Sequence, residues 1–186
     1  MRLFFAVELP QEVQAALGKL HPNDASRDYR WTDPSLMHVT LVFLGQQPEE
    51  RLDLLQSVGK TAAALSRPGS LKLGQAGSFG PRKAPRVLWI GLDGDLPALQ
   101  ALHSNLNSGL KQAGVDVEDR AYSPHVTLAR RRESARSGPP PNWPPSQSLS
   151  KPFPMHGLTL FESRLSPRGP TYIHLAEFPL GTAAGR

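Results

Sequence analysis

The tetrapeptide His38-Val39-Thr40-Leu41 recurs as His125-Val126-Thr127-Leu128, each copy inside a run of β-branched and apolar residues. In an extended strand the side chains alternate, so His and the Thr two residues on project from one face while Val and Leu project from the other. Each copy therefore offers an imidazole beside a hydroxyl on one side and an apolar pair to a core on the other. Histidine is the side chain whose ordinary pKa lies near neutrality, so one of two equivalent imidazoles can serve as a base while its twin carries a proton as an acid. A lone His in an apolar run reads as a core residue. Two, each with a Thr at the same offset, read as a split acid/base pair.

The context upstream of each copy repeats as well. An apolar stretch, Leu3-Phe4-Phe5-Ala6-Val7, leads through Leu9-Pro10 and a helix-period segment to His38, and Val87-Leu88-Trp89-Ile90 leads through Leu96-Pro97 and another such segment to His125. Val13, Ala16, Leu17 and Leu20 share one face of the first helix, and Leu99, Leu102, Leu106 and Leu110 one face of the second. Pro10 and Pro97 suit the opening turn, where a missing N–H costs nothing, and Asp95 suits an N-cap. The unit is strand-helix-strand, used twice, with a histidine on the closing strand each time.

These blocks resemble the 2H phosphoesterase superfamily, and within it the RNA 2',3'-cyclic phosphodiesterases, also called 2'-5' RNA ligases. The likeness runs through Leu3–Val7, Arg30-Trp31, His38 to Gly45, Gly77-Ser78-Phe79-Gly80, Arg86 to Leu92, and Ser123 to Arg130. It implies an α+β, bilobal fold: two strand-helix-strand lobes related by a pseudo-two-fold axis, with a central cleft between antiparallel sheets. It also implies the roles, His125 as the base that activates water and His38 as the acid that protonates the 3' oxygen, leaving a 2'-phosphate; the residues alone do not tell acid from base. Thr40 and Thr127 are placed to donate hydrogen bonds to the non-bridging phosphate oxygens, where charge grows in the transition state. Five residues after each histidine stand Phe43 and Arg130. In similar proteins an arginine at the second position assists phosphate or ribose binding and an aromatic near the first lies close to the base. Strand parity puts both on the face opposite the histidines, so either reaches substrate only if the strand ends, bulges or twists there.

No metal or other cofactor is expected, because neither motif carries nearby carboxylates or the His-x-x-x-His spacing that metal sites use. His21, His103, His156 and His174 have no twin and no Thr at the matching offset, and are read as structural. With 21 Lys and Arg against 16 Asp and Glu, the chain carries a net charge of +5. The pI of about 9.9 fits an anionic partner such as RNA or an oligonucleotide with a 2',3'-cyclic phosphate end. Basic residues cluster at Arg82, Lys83 and Arg86 and at Arg130, Arg131, Arg132 and Arg136. The absence of cysteine excludes a disulfide framework and a thiolate zinc site. No run is long enough to span a membrane and no signal-peptide pattern opens the chain, so a cytoplasmic monomer without membrane association is expected.

The remainder is scaffold. A third helix is expected after Pro48, with Leu52, Leu55, Gly59, Ala62 and Leu65 on one face, followed by two strands joined by a Gly-Pro-rich turn, 71–79 and 86–92. Residues 1–186 are read as one domain of two intertwined lobes, with 137–154 a proline-rich surface loop and 182–186 a frayed end. Leu158 to Phe161 and Tyr172 to Leu175 are expected to close the fold as a strand pair. Two alternatives to cyclic-phosphate hydrolysis stay open: cleavage or ligation of 2'-5' linkages by the same reversible pair, and a nucleotide- or RNA-binding module without turnover.

Overall fold

The computed structural model describes residues 1–21, 28–118, 121–136, 143, 151–167 and 169–181. Nine strands and three α-helices are present among them: β1 (Arg2–Glu8), α1 (Gln11–Gly18), β2 (Tyr29–Trp31), β3 (His38–Gln46), α2 (Leu52–Ala64), β4 (Gly69–Phe79), β5 (Val87–Gly94), α3 (Leu96–Gln112), β6 (His125–Arg131), β7 (Phe153–Met155), β8 (Gly157–Ser166) and β9 (Gly169–Pro179). They form one antiparallel sheet in the order β7-β4-β5-β6-β3-β1-β8-β9, with β2 also laid against β6.

The expected duplication is visible in the register. In one half, β1 pairs with β3 so that Val7 faces Val39 and Glu8 faces His38; in the other, β5 pairs with β6 so that Ile90 faces Val126 and Gly91 faces His125. The halves join where β3 meets β6 at the pair Val39–Val126. The two lobes are thus one continuous sheet. They are also exchanged: β4, which follows β3 and α2, adds to β5, whereas β8, which follows β6 and β7, adds to β1.

Val39, Leu41, Val126 and Leu128 join the main core with Leu99, Leu102, Leu106 and Leu110 of α3, which are all wholly buried. The Asp95 carboxylate accepts from the Ala98 N–H and caps α3 as read, with Pro97 inside its first turn. Pro10, in contrast, is itself the N-cap of α1, one position before the first turn. On α2, Leu55, Gly59 and Ala62 face inward, and a Cβ at Gly59 would meet the Phe5 and Phe178 rings at 2.8 Å, so the missing side chain is what lets the helix lie on the sheet. Leu65 is not on that face: α2 ends at Ala64 and Leu65 is 71% exposed.

The proline-rich stretch stops earlier than expected. Its last two residues, Phe153 and Pro154, belong to β7, which pairs only with β4 and so lies at the sheet edge, where proline is tolerated because the outward N–H has no partner to lose. The rest of that loop, apart from Trp143 and the stretch from Lys151, and the expected frayed end 182–186 lie outside the described residues. Among the described residues no helix is long and apolar enough to cross a membrane.

Candidate active site

Antiparallel pairing at Val39–Val126 carries a geometric consequence for the residues on either side. One step out, His38 comes opposite Thr127 and Thr40 opposite His125, all four on the face opposite the buried Val and Leu side chains. Side chains directly opposite in such a pair have Cβ atoms about 4.5–5.5 Å apart, and diagonal ones about 7–8 Å. The two histidines are thus the diagonal pair across Val39–Val126.

Each ring is tethered in the same way. His38 Nδ1 lies 2.8 Å from the Leu36 carbonyl oxygen and His125 Nδ1 lies 2.7 Å from that of Ser123. A carbonyl can only accept, so Nδ1 carries the hydrogen and Nε2 is the nitrogen left for chemistry. Aromatic walls complete both seats. His38 packs against Phe4 (4.9 Å between ring centroids) and edge-on to Tyr172 (5.3 Å), while His125 packs edge-on to Phe79 (5.0 Å) and near Trp89 (6.1 Å). The His38 seat is the more enclosed. Burial among these rings depresses the His38 pKa, the Leu36 carbonyl opposes the shift, and the nearby charge of Arg130 adds to it; Glu8 pulls the other way and His125 again lowers it.

The fate of Phe43 and Arg130 turns on one bulge in each histidine strand. Ala6 faces Thr40 but Phe5 faces Val42, which leaves Leu41 unpaired; Trp89 faces Thr127 but Leu88 faces Ala129, which leaves Leu128 unpaired. An extra residue in one strand reverses the parity beyond it. Both strands are therefore buried at consecutive positions, Leu41-Val42 and Leu128-Ala129, and Phe43 and Arg130 emerge exposed on the side of the histidines. Phe43 is 50% exposed, so it does not lie on the buried face where strict strand parity would have put it.

Thr40, Phe43, His125, Thr127 and Arg130 line a cavity of about 560 Å³. His38 is not among its lining residues and borders it through Thr127 and Arg130, whose positions face or act on it. Other walls come from Phe79, Arg86 and Val87 and from His103, Glu118 and Tyr122. His103 and Tyr122 stack face to face at 4.1 Å, and the Tyr122 hydroxyl donates to the Thr40 carbonyl at 3.2 Å. Burial lowers the His103 pKa and raises that of Tyr122, so both rings are held neutral. His103, read from sequence as a structural residue, instead helps shape the cavity; its sequence carries no signal of this, because its partners come from another segment.

His174 also has a definite partner. Its Nε2 lies 2.9 Å from Glu8 Oε1, which accepts from the Thr159 hydroxyl at 2.8 Å. Glu8 stands directly across from His38 in the register, whereas the counterpart across from His125 is Gly91. A carboxylate held by two neighbours thus flanks His38.

Known proteins share this architecture. The family model of the 2'-5' RNA ligase superfamily matches residues 9–156. The RNA 2',3'-cyclic phosphodiesterase of Thermus thermophilus is 35% identical over 195 residues, covering 100% of this chain and 93% of its own. A solved Thermus thermophilus structure superposes with a TM-score of 0.83 at 33% identity over 98% of this chain and 99% of that one. Escherichia coli LigT complexed with 3'-AMP superposes with a TM-score of 0.74 at 27% identity over 96% and 97% of the two chains. Taken with the paired His-Val-Thr-Leu strands, these matches establish that the chain belongs to the 2'-5' RNA ligase superfamily, the 2H phosphoesterases that its sequence resembles.

Proposed function

We propose that this protein hydrolyses the 2',3'-cyclic phosphate end of RNA to a 2'-phosphomonoester, with His38 and His125 as the acid/base pair and no metal. The observation that carries the reading is the diagonal placement of the two imidazoles across the Val39–Val126 pair, each with a threonine opposite. The name of the Thermus relative, RNA 2',3'-cyclic phosphodiesterase, supports the substrate, and the complex of LigT with 3'-AMP supports a nucleotide ligand.

In the reaction His125 Nε2 removes a proton from water as its oxygen attacks phosphorus. The bond from phosphorus to the 3' oxygen breaks, and His38 Nε2 delivers the proton that this oxygen needs. Acid and base each contribute on the order of 10²- to 10⁴-fold. Thr40 and Thr127 donate to the two non-bridging oxygens, and Arg130 holds the phosphate charge. Phe43 offers its exposed ring to the terminal base. Glu8, directly across from His38, favours a proton on that ring against the burial that depresses its pKa, and so supports His38 as the acid. The reading includes a cytoplasmic monomer.

Incubation with an oligonucleotide ending in a 2',3'-cyclic phosphate, with and without EDTA, tests it. Equal turnover in both samples with the phosphate left on the 2' oxygen is expected. A 3'-phosphate product, or loss of activity in EDTA restored by a divalent ion, would overturn it. Joining of cyclic-ended strands through 2'-5' bonds as the faster reaction would move the assignment to ligation.

A further inference from the structure

Deepening the activity proposed above, we propose that a basic ledge beside the cavity holds the body of the RNA strand, 5' of its cyclic end, so that the enzyme prefers oligonucleotides to cyclic mononucleotides. A 2',3'-cyclic phosphate terminates its chain, so every further phosphate of the substrate lies on the 5' side and leaves the cavity in one direction.

The ledge is assembled from three segments that the sheet brings to one end. Arg30 of β2 lies directly opposite Arg130 of β6, and Val87 of β5 lies opposite Arg130 on the other side. The turn between β4 and β5 is closed by the Arg86 N–H donating to the Phe79 carbonyl at 2.7 Å, which sets Arg82 and Lys83 at its exposed tip. At the end of β6 the Arg131 N–H donates to the Arg86 carbonyl and, just past it, the Arg132 N–H to the Asp28 carbonyl, both at 2.8 Å, so exposed Arg132 joins the same end.

Like charges directly opposite on adjacent strands repel, and the fold keeps Arg30 and Arg130 in that relation. Among the described residues neither is ion-paired to a carboxylate, nor is Arg86. Among the described residues Glu118 lines the cavity with Arg86 and Arg130, while Asp28 and Glu133 belong to the outer end, where the Asp28 carboxylate accepts from the Arg136 backbone N–H at 3.0 Å. An arrangement that costs stability in the free protein is relieved by a polyanion lying across it. Continuity supports RNA as that polyanion: Arg86 and Arg130 line the cavity at the inner end of the ledge, and Arg82, Lys83 and Arg132 stand beyond it.

The test compares a cyclic mononucleotide with a ten-residue oligonucleotide bearing the same cyclic end, in the wild type and in the Arg82→Ala, Lys83→Ala, Arg132→Ala triple variant. None of these three lines the cavity, so mononucleotide kcat/KM should be unchanged. Oligonucleotide KM should rise about tenfold at 0.1 M salt, and its salt slope should shrink by roughly two for the lost single-strand phosphate contacts. Equal effects on both substrates, or none on the oligonucleotide, would overturn the ledge. A parallel fluorescence titration with the same oligonucleotide carrying a 2'-phosphate end reads binding without turnover. If neither cyclic substrate is hydrolysed the proposed activity falls, and the titration still decides the ledge: weaker binding in the variant supports it, equal binding refutes it.

Discussion

Gly77→Ala should damage turnover more than stability. A Cβ built at Gly77 would lie inside contact distance of three atoms of the Trp89 indole, with Cζ3 at 2.8 Å and Cη2 and Cζ2 closer, where ordinary contact begins at 3.4 Å. The ring must therefore retreat by more than 0.6 Å. Trp89 stands opposite Thr127, beside Phe79 at 5.2 Å and His125 at 6.1 Å, so its retreat is transmitted to the seat of His125. Overfilling a packed site costs about 1–3 kcal/mol, which for a chain of this length lowers Tm by roughly 2–10 °C. A misplacement on the order of 1 Å in a catalytic group costs about 10²-fold in rate. The assay is kcat on a cyclic-ended oligonucleotide at a temperature well below the melting transition, with Tm measured by circular dichroism. Trp89→Phe in the same chain removes the outer ring atoms that clash, and the double variant should recover part of kcat. A Gly77→Ala protein with wild-type kcat would refute the claim that the Gly77–Trp89 packing positions His125.

His38→Ala and His125→Ala should each remove most turnover in a steady-state assay, and the double variant should be little worse than either single, because residues acting as one unit give non-additive losses. Thr40→Ala and Thr127→Ala should each lose about 10²- to 10³-fold in kcat, as expected for one donor to a developing charge. Glu8→Gln removes a charge that favours the His38 imidazolium, so the limb of the kcat/KM profile belonging to His38 should move to lower pH while the other limb stays; an unmoved profile refutes the coupling. Burial lowers the folded pKa of both His38 and His103 from an ordinary 6.5, so the unfolded chain binds more protons below that value. Urea midpoints should therefore be flat above about pH 6.5 and fall as the pH falls, with a shallower fall in His103→Gln.

Much of the fold could be read from periodicity because its elements are locally specified. The face of α3, the Asp95 cap and the β4–β5 pair all follow from patterns a few residues long, whereas α1 ends at Gly18 and leaves Leu20, expected on its face, outside the helix. Placing Phe43 and Arg130 by strict alternation failed at Leu41 and Leu128. The signal was present: two consecutive apolar residues after each His-Val-Thr, Leu41-Val42 and Leu128-Ala129, break the alternation in both copies at the same point. The aromatic seats and the Glu8–His174–Thr159 cluster had no such signal. Phe4, Phe161 and Tyr172 come from three strands, and Glu8 and His174 lie 166 residues apart, so only the completed sheet brings them together. Leu65 matched the helical period and lies outside the core because the helix stops one residue before it.

The crossing of β4 and β8 into opposite halves governs how the molecule assembles. Neither repeat can finish its own sheet: the first waits for β8, which is made last but one, and the second takes an edge from the chain that leaves the first. The halves are clasped like linked hands, and the contacts that close the clasp are distant in sequence, a topology that slows folding. The two histidine strands meet at the join between the halves, so the face they share does not exist in a half-folded chain. A nascent protein thus forms this join only after β6 has emerged, and clasps it only once β8 has docked on β1.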